Sequence, residues 1–184
     1  MKEKIIYDEQ GLKPGTRYEK GQWKEITTHN DKEIKGFFGE YRFLSNFWPA
    51  RVYLDEEEYK TTENAYQAAK YKKEERSYFK KCSPKEALIF VRNNPVWQYD
   101  FKVWNKIKLG IMKKLLVQKF DKELNPNNYE ELIKTGDKYL EETNYWGDEY
   151  WGVNKNESKG KGLGENNLGK LLMEIREDLL GDDK

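Results

Sequence analysis

At 184 residues the chain is read as one domain with room for an appendage. Charged residues reach 36%, but six tryptophans, thirteen tyrosines and eight phenylalanines exclude a disordered chain, which would be aromatic-poor. A net charge of +1 excludes a uniformly basic nucleic-acid coat, and one cysteine (Cys82) with one histidine (His29) excludes both an internal disulfide and a clustered His/Cys zinc site.

Residues 1–35 mix glycine and proline with eight basic and seven acidic side chains, and are expected to form an N-terminal extension, an arm or short hairpin. The compact domain is expected to span residues 36–181. Its first segment, Phe37 to Pro49, reads as a short strand followed by an aromatic loop. Arg51–Leu54 and Glu58–Lys60 flank an acidic turn and predict a hairpin. Thr62 is placed to cap a helix from Glu63 to about Lys73. Ser83-Pro84-Lys85-Glu86 forms a capping box with proline at the first helical position, opening a helix to about Asn93. Phe101, Trp104, Ile107, Ile111, Met112, Leu115 and Phe120 recur at helical spacing, making 101–120 the longest amphipathic helix. Asn125-Pro126 opens a helix that stops at Gly136, and Leu168 to Leu179 mark a last one closed by Gly181. With no long β–α alternation and no repeat, the expected fold is α+β, helix-rich around a small sheet. The longest apolar run, Ala87–Val91, is far shorter than the roughly 20 residues of a membrane span, and no apolar stretch follows the N-terminal lysines. A cytoplasmic protein with no membrane partner is expected.

Charge is unevenly spread. Residues 70–81 carry a net +4, residues 101–120 six lysines and no acid, and residues 121–149 a net −6. Solvated helix faces and a phosphate-attracting face both explain this pattern.

Three stretches carry candidate chemistry. Glu63, Tyr66, Gln67 and Lys70 are spaced 0, 3, 4 and 7 and share one helical face, either solvated or functional. Asn144 to Gly152 holds two Trp-Gly pairs around Asp148, which read as core plugs or as flat surfaces for stacking a heterocycle. Gly160 to Lys170 is a glycine-rich lead into the last helix, suited to phosphate. Leu171 stands where a nucleotide-binding P-loop needs Ser or Thr, so that reading is rejected.

In order and combination these pieces resemble the NADAR (YbiA-like) family. The matching residues are Phe43-Leu-Ser-Asn-Phe47, Thr62-Glu-Asn-Ala-Tyr-Gln-Ala-Ala-Lys70, Trp104 with Lys108 and Met112, and Lys119-Phe120. Asp148-Glu-Tyr-Trp-Gly152, Gly162-Leu-Gly-Glu-Asn-Asn-Leu-Gly169 and Leu171 to Arg176 complete them. The family usually has histidine after the helix-opening Glu, where this chain has Asn64, so a histidine-dependent mechanism is not expected. The resemblance implies an N-glycosidase, a hydrolase of the bond between ribosyl C1′ and an exocyclic amine. Its implied substrates are ADP-ribose on guanine in DNA or RNA, or phosphoribosylamino-pyrimidine intermediates of riboflavin synthesis. The implied roles put Glu63 and Asp148 as paired carboxylates at the oxocarbenium-like centre. Trp104 or Trp151 would stack on the base, and Asn46 and Asn166 would bond ribose or phosphate; Tyr66, Lys108 and Gly162 are the other implied substrate-binding residues. Lys70 is either a phosphate contact or an amine that captures C1′ as a Schiff base. Neither a metal nor a cofactor is expected. A non-catalytic ADP-ribose or nucleic-acid reader is the rival reading.

Overall fold

The computed structural model describes residues 27–95, 97–156 and 162–182. In chain order its elements are β1 (Thr28–His29), β2 (Glu33–Lys35), a 3-10 helix (Gly39–Leu44), β3 (Pro49–Leu54) and β4 (Glu57–Thr61). Helix α1 (Thr62–Ala68), a second 3-10 helix (Lys73–Lys80), α2 (Pro84–Asn93), α3 (Phe101–Lys119) and α4 (Pro126–Lys134) follow. Strands β5 (Tyr139–Glu141), β6 (Thr143–Asn144) and β7 (Val153–Asn154) then lead to α5 (Asn167–Asp182). The α+β, helix-rich expectation holds, with the strands distributed over three small sheets. The chain forms two compact units, residues 46–131 and the two flanking segments together.

In the unit of residues 46–131, β3 and β4 pair antiparallel with Val52 opposite Tyr59 and Leu54 opposite Glu57. The turn residues Asp55 and Glu56 both have left-handed φ, the geometry that two-residue hairpins require. Buried Arg76 anchors it, donating to Asp55 Oδ2 (2.5 Å) and to the Tyr71 carbonyl (2.8 Å), while Lys80 pairs with Glu57. The capping box is present as expected. Ser83 Oγ accepts from Glu86 N, and Glu86 Oε2 accepts from Ser83 N at 2.7 Å. Val52, Tyr59, Ala65, Phe79, Ala87, Met112, Leu115 and Leu116 form the core. Phe101, counted into the apolar stripe of α3, is 70% exposed, because the helix begins there on an Asp100 cap ahead of its buried face.

In the unit of the flanking segments, β2 lies between antiparallel β1 and parallel β5, with Ile34 opposite Leu140. Helix α5 packs on β5 through a stripe that includes Leu168, Leu171, Leu172 and Ile175. Parallel β6 and β7 form a separate pair. Among the described residues no helix is long and apolar enough to cross a membrane.

Four local expectations change. The segment after Phe37 is a 3-10 helix, not a strand. Thr61, not Thr62, caps α1, its Oγ1 accepting from Asn64 N at 3.0 Å. That helix ends at Ala68 because Gln98 takes its C-terminal carbonyls, Nε2 bonding Ala69 O (2.9 Å) and its backbone N bonding Lys70 O (2.8 Å). Helix α5 runs through Gly181 to Asp182. Of the 1–35 extension, residues 1–26 lie outside the described residues, and residues 28–35 supply β1 and β2.

Candidate active site

The face of Glu63, Tyr66, Gln67 and Lys70 is not solvated. These residues are 7, 5, 3 and 8% exposed, an unusual burial for two chargeable groups one short helix apart. Glu63 lies in the first turn of α1 with its N–H on the Asn46 carbonyl (3.0 Å). Gln67 Nε2 donates to Glu63 Oε1 at 2.7 Å, and Lys70 Nζ donates to Gln67 Oε1 at 2.7 Å. A carboxylate, an amide and an amine therefore form one chain along the face.

Aromatic rings close over the amine. Lys70 Nζ lies 4.8 Å from the ring centre of Trp97, 5.4 Å from Tyr66 and 5.5 Å from Trp104. Tyr66 and Trp104 are 5.3 Å apart, and Trp97 meets Trp104 edge-on at 6.0 Å. The Gln98 bonds that end α1 also hold Trp97 in place over its last turn. Burial in this cage pulls Lys70 down to about 8; Glu63 opposes that fall, while the charges of Lys108 and Arg92 add to it. Lys108 sits one turn beyond Trp104 on α3. Asn46 Oδ1 is buried with no hydrogen-bond partner, and its amide nitrogen makes only a 3.5 Å contact to Met112 Sδ.

Asn46, Glu63, Tyr66, Lys70, Trp104 and Lys108 thus all lie in the unit of residues 46–131. Trp97 was not singled out from the sequence, although Trp97 and Tyr99 flanking Gln98 between two helices are a visible aromatic signal. Asn64 turns elsewhere, donating to the carbonyls of Phe79 (2.9 Å) and Cys82 (3.0 Å). A groove of about 700 Å³ opens beside it, lined by Lys60, Lys81, Cys82 and Pro84 but by none of the expected site residues. The basic stretches are partly consumed by structure: Lys70, Arg76 and Lys119 are buried and Lys80 is paired.

Asp148, Trp151, Gly162 and Asn166 belong to the other unit. Asp148 Oδ1 accepts from Tyr150 N (3.1 Å) and Trp151 N (2.9 Å), and Asn144 ties down the backbone of Gly147 and Asp148. Trp151 meets Tyr150 edge-on at 4.9 Å. Asn166, expected on ribose or phosphate, is spent inside the protein: Oδ1 accepts from Glu142 N (3.0 Å), and Nδ2 donates to Leu140 O (2.9 Å) and the Tyr139 hydroxyl (3.2 Å). Gly162 is exposed and its N–H bonds the Asn154 carbonyl at 2.6 Å. Gly164 is required by close packing, since a Cβ there would lie 2.0 Å from the Gly152 carbonyl. Residues 160 and 161 of this glycine-rich stretch, with 157–159 before them, lie outside the described residues. Among the described residues no group of three or more His, Cys, Asp or Glu is placed to hold a metal ion.

A family model of the NADAR domain matches residues 31–180. N-glycosidase Npun_R5314 of Nostoc punctiforme is 30% identical over 144 residues, covering 76% of this chain and 86% of that protein. Riboflavin biosynthesis protein VVA0006 of Vibrio vulnificus is 29% identical over 74% of this chain, which spans 35% of that longer protein. The NMR structure of E. coli YbiA superposes with a TM-score of 0.64 at 26% identity, over 88% of this chain and 92% of YbiA. With the family model covering most of its length and the fold shared with YbiA, this chain belongs to the NADAR domain family.

Proposed function

We propose that this protein is an N-glycosidase that hydrolyses the bond between a ribosyl C1′ and an exocyclic amine, with Lys70 as nucleophile and Glu63 as the carboxylate that manages its protons. The observation that carries the reading is the buried Lys70 amine, enclosed by three rings and joined to Glu63 through Gln67. Lysine near 8 has about a tenth of its amine neutral at pH 7, against roughly three parts in ten thousand at its ordinary value. A nucleophilic amine needs that neutral form; a phosphate contact would need the opposite, an exposed ammonium.

The chemistry runs in balanced steps. The glycosylamine opens across C1′–O4′ to an imine, and neutral Lys70 Nζ adds to C1′. A proton passes to the exocyclic nitrogen, the C1′–N bond breaks, and the base leaves as a free amine. Lys70 is left joined to C1′ as a Schiff base. Water adds to C1′, Nζ departs with a proton, and the aldehyde recloses as ribose. Glu63 accepts and returns the protons in this scheme. Trp104 and Tyr66 supply flat surfaces for the base, and the unpartnered Asn46 Oδ1 is an acceptor for a ribose hydroxyl.

Two substrates contain this bond beside a flat base and phosphate: ADP-ribosylated guanine in nucleic acid and the phosphoribosylamino-pyrimidines of riboflavin synthesis. The name of the Vibrio relative supports the second, and the exposed lysines Lys102, Lys106 and Lys114 of α3 support the first. Side-by-side hydrolysis assays at neutral pH, without added metal, separate them. Glu63→Gln and Lys70→Arg should each lower kcat/KM by about 10² or more. Borohydride added during turnover should fix the ribosyl fragment on Lys70. Turnover that leaves no trapped Lys70 and survives Lys70→Arg would overturn the nucleophile. Binding of ADP-ribose without product release would turn the reading to a non-catalytic reader.

A further inference from the structure

We infer that Gln67 is a positioning residue, a neutral amide spacer that holds Glu63 and Lys70 in one hydrogen-bonded chain while keeping carboxylate and amine from joining as a direct ion pair. The inference rests on the proposed roles of Glu63 and Lys70 and adds a part that neither of them supplies.

The geometry has one sense. Gln67 Nε2 donates to Glu63 Oε1 and Gln67 Oε1 accepts from Lys70 Nζ, each at 2.7 Å. An amide can serve both neighbours at once only in this orientation, with its nitrogen toward the carboxylate and its oxygen toward the amine. Gln67 is itself buried, so neither end has solvent as an alternative partner. Glu63 and Gln67 are one helical turn apart and Lys70 follows in the turn just past the end of α1, which puts the amide between the two charges along a single face.

A carboxylate at position 67 would undo this arrangement. It would stand 2.7 Å from Nζ inside a ring-lined cage, where opposite charges attract strongly and favour the ammonium. The other charged groups that act on Lys70 are Glu63 on α1, Arg92 on α2 and Lys108 on α3. The two cations disfavour the ammonium and the carboxylate favours it. A second carboxylate would therefore tip the balance toward a protonated, non-nucleophilic amine. Removing the amide's polarity leaves the burial and the two cations intact, so an apolar residue of the same length should keep the amine at or below its present value.

The test is an NMR titration of the full-length chain carrying 13C-labelled lysine, with the Lys70 signal assigned by its loss in Lys70→Arg. The wild-type signal should titrate near 8. Gln67→Glu should move its midpoint up by about one pH unit or more, and Gln67→Met should leave it unchanged or lower. The alkaline shift should reappear in the pH dependence of kcat for Gln67→Glu, whereas a merely structural glutamine would lower kcat at every pH alike. A Gln67→Glu midpoint equal to the wild type, or a Gln67→Met midpoint raised toward the ordinary lysine value, would overturn the spacer. If Gln67→Glu does not fold, the Gln67→Met titration decides alone. The two readings fail separately. Loss of turnover in Lys70→Arg with unmoved midpoints would remove the spacer and keep the nucleophile. Shifted midpoints in a protein that cleaves neither substrate would keep the spacer and remove the activity.

Discussion

Replacing Lys70 by methionine should make the protein more stable near neutral pH. A lysine held at about 8 in the folded state and near 10.5 when unfolded carries its charge in the cage at a cost of about 3 kcal/mol at pH 7. Methionine has similar length and no charge, and it can pack against Trp97, Tyr66 and Trp104. It strands Gln67 Oε1, which costs about 1–2 kcal/mol. The net expectation is a gain of about 1–2 kcal/mol near pH 7. The sign reverses with pH. Because folding lowers the lysine value, the unfolded chain binds the extra proton between about 8 and 10.5. The penalty on the wild type is complete below that window and fades as pH rises through it. Urea midpoints of both proteins, compared at neutral pH and again toward the upper end of the window, measure the difference directly. The variant should lead at neutral pH and fall behind at alkaline pH. A variant that is less stable throughout, by an amount independent of pH, would refute the desolvated amine and the nucleophile argued from it.

Gly164→Ala should cost about 3 kcal/mol or more, since it forces a φ that only glycine adopts and drives a Cβ into the Gly152 carbonyl. Gly162→Ala, in open space at left-handed φ, should cost about 1 kcal/mol, and thermal unfolding of the two compares them. Arg76→Ala should lose about 3–5 kcal/mol by urea unfolding, because it removes a buried anchor of the hairpin turn, whereas the half-exposed Asp55→Ala should lose about 1–3 kcal/mol. Asp148→Asn keeps an oxygen to accept from Tyr150 N and Trp151 N, so its stability should stay within about 1 kcal/mol of wild type. A fall in kcat with that stability intact would assign a role to the Asp148 charge, and unchanged turnover would remove Asp148 from the chemistry.

The legible parts of the fold are those written in neighbouring residues. Ser83 and Glu86 announce α2 because each side chain satisfies the other's backbone N–H three positions away. The apolar spacing of 101–120 announces α3, and the acidic turn announces the β3–β4 hairpin. Other parts depend on distant partners. Nothing local stops α1 before Lys73, and Gln98 does so from across a gap in sequence. Asn166 has the look of a ligand residue, but its amide is consumed by Leu140, Glu142 and Tyr139. The glycines near it look like a phosphate loop, while Gly164 is required by a backbone passing at contact distance.

The sequence by itself determined the α+β class, the starts of α2, α3 and α4, the family resemblance and the common face of Glu63, Tyr66, Gln67 and Lys70. Periodicity and capping are short-range, so a single chain read in order carries them. Only the tertiary structure decided that this face is buried, that Trp97 and Trp104 close on Lys70 from 27 and 34 residues further along, and that Gln67 joins the amine to a carboxylate. Desolvation is set by whatever packs against a group, and what packs here comes from the segment before α3 and from α3 itself. An ordinary surface lysine and a low-value buried amine have the same letter in the sequence; the rings around Nζ separate them.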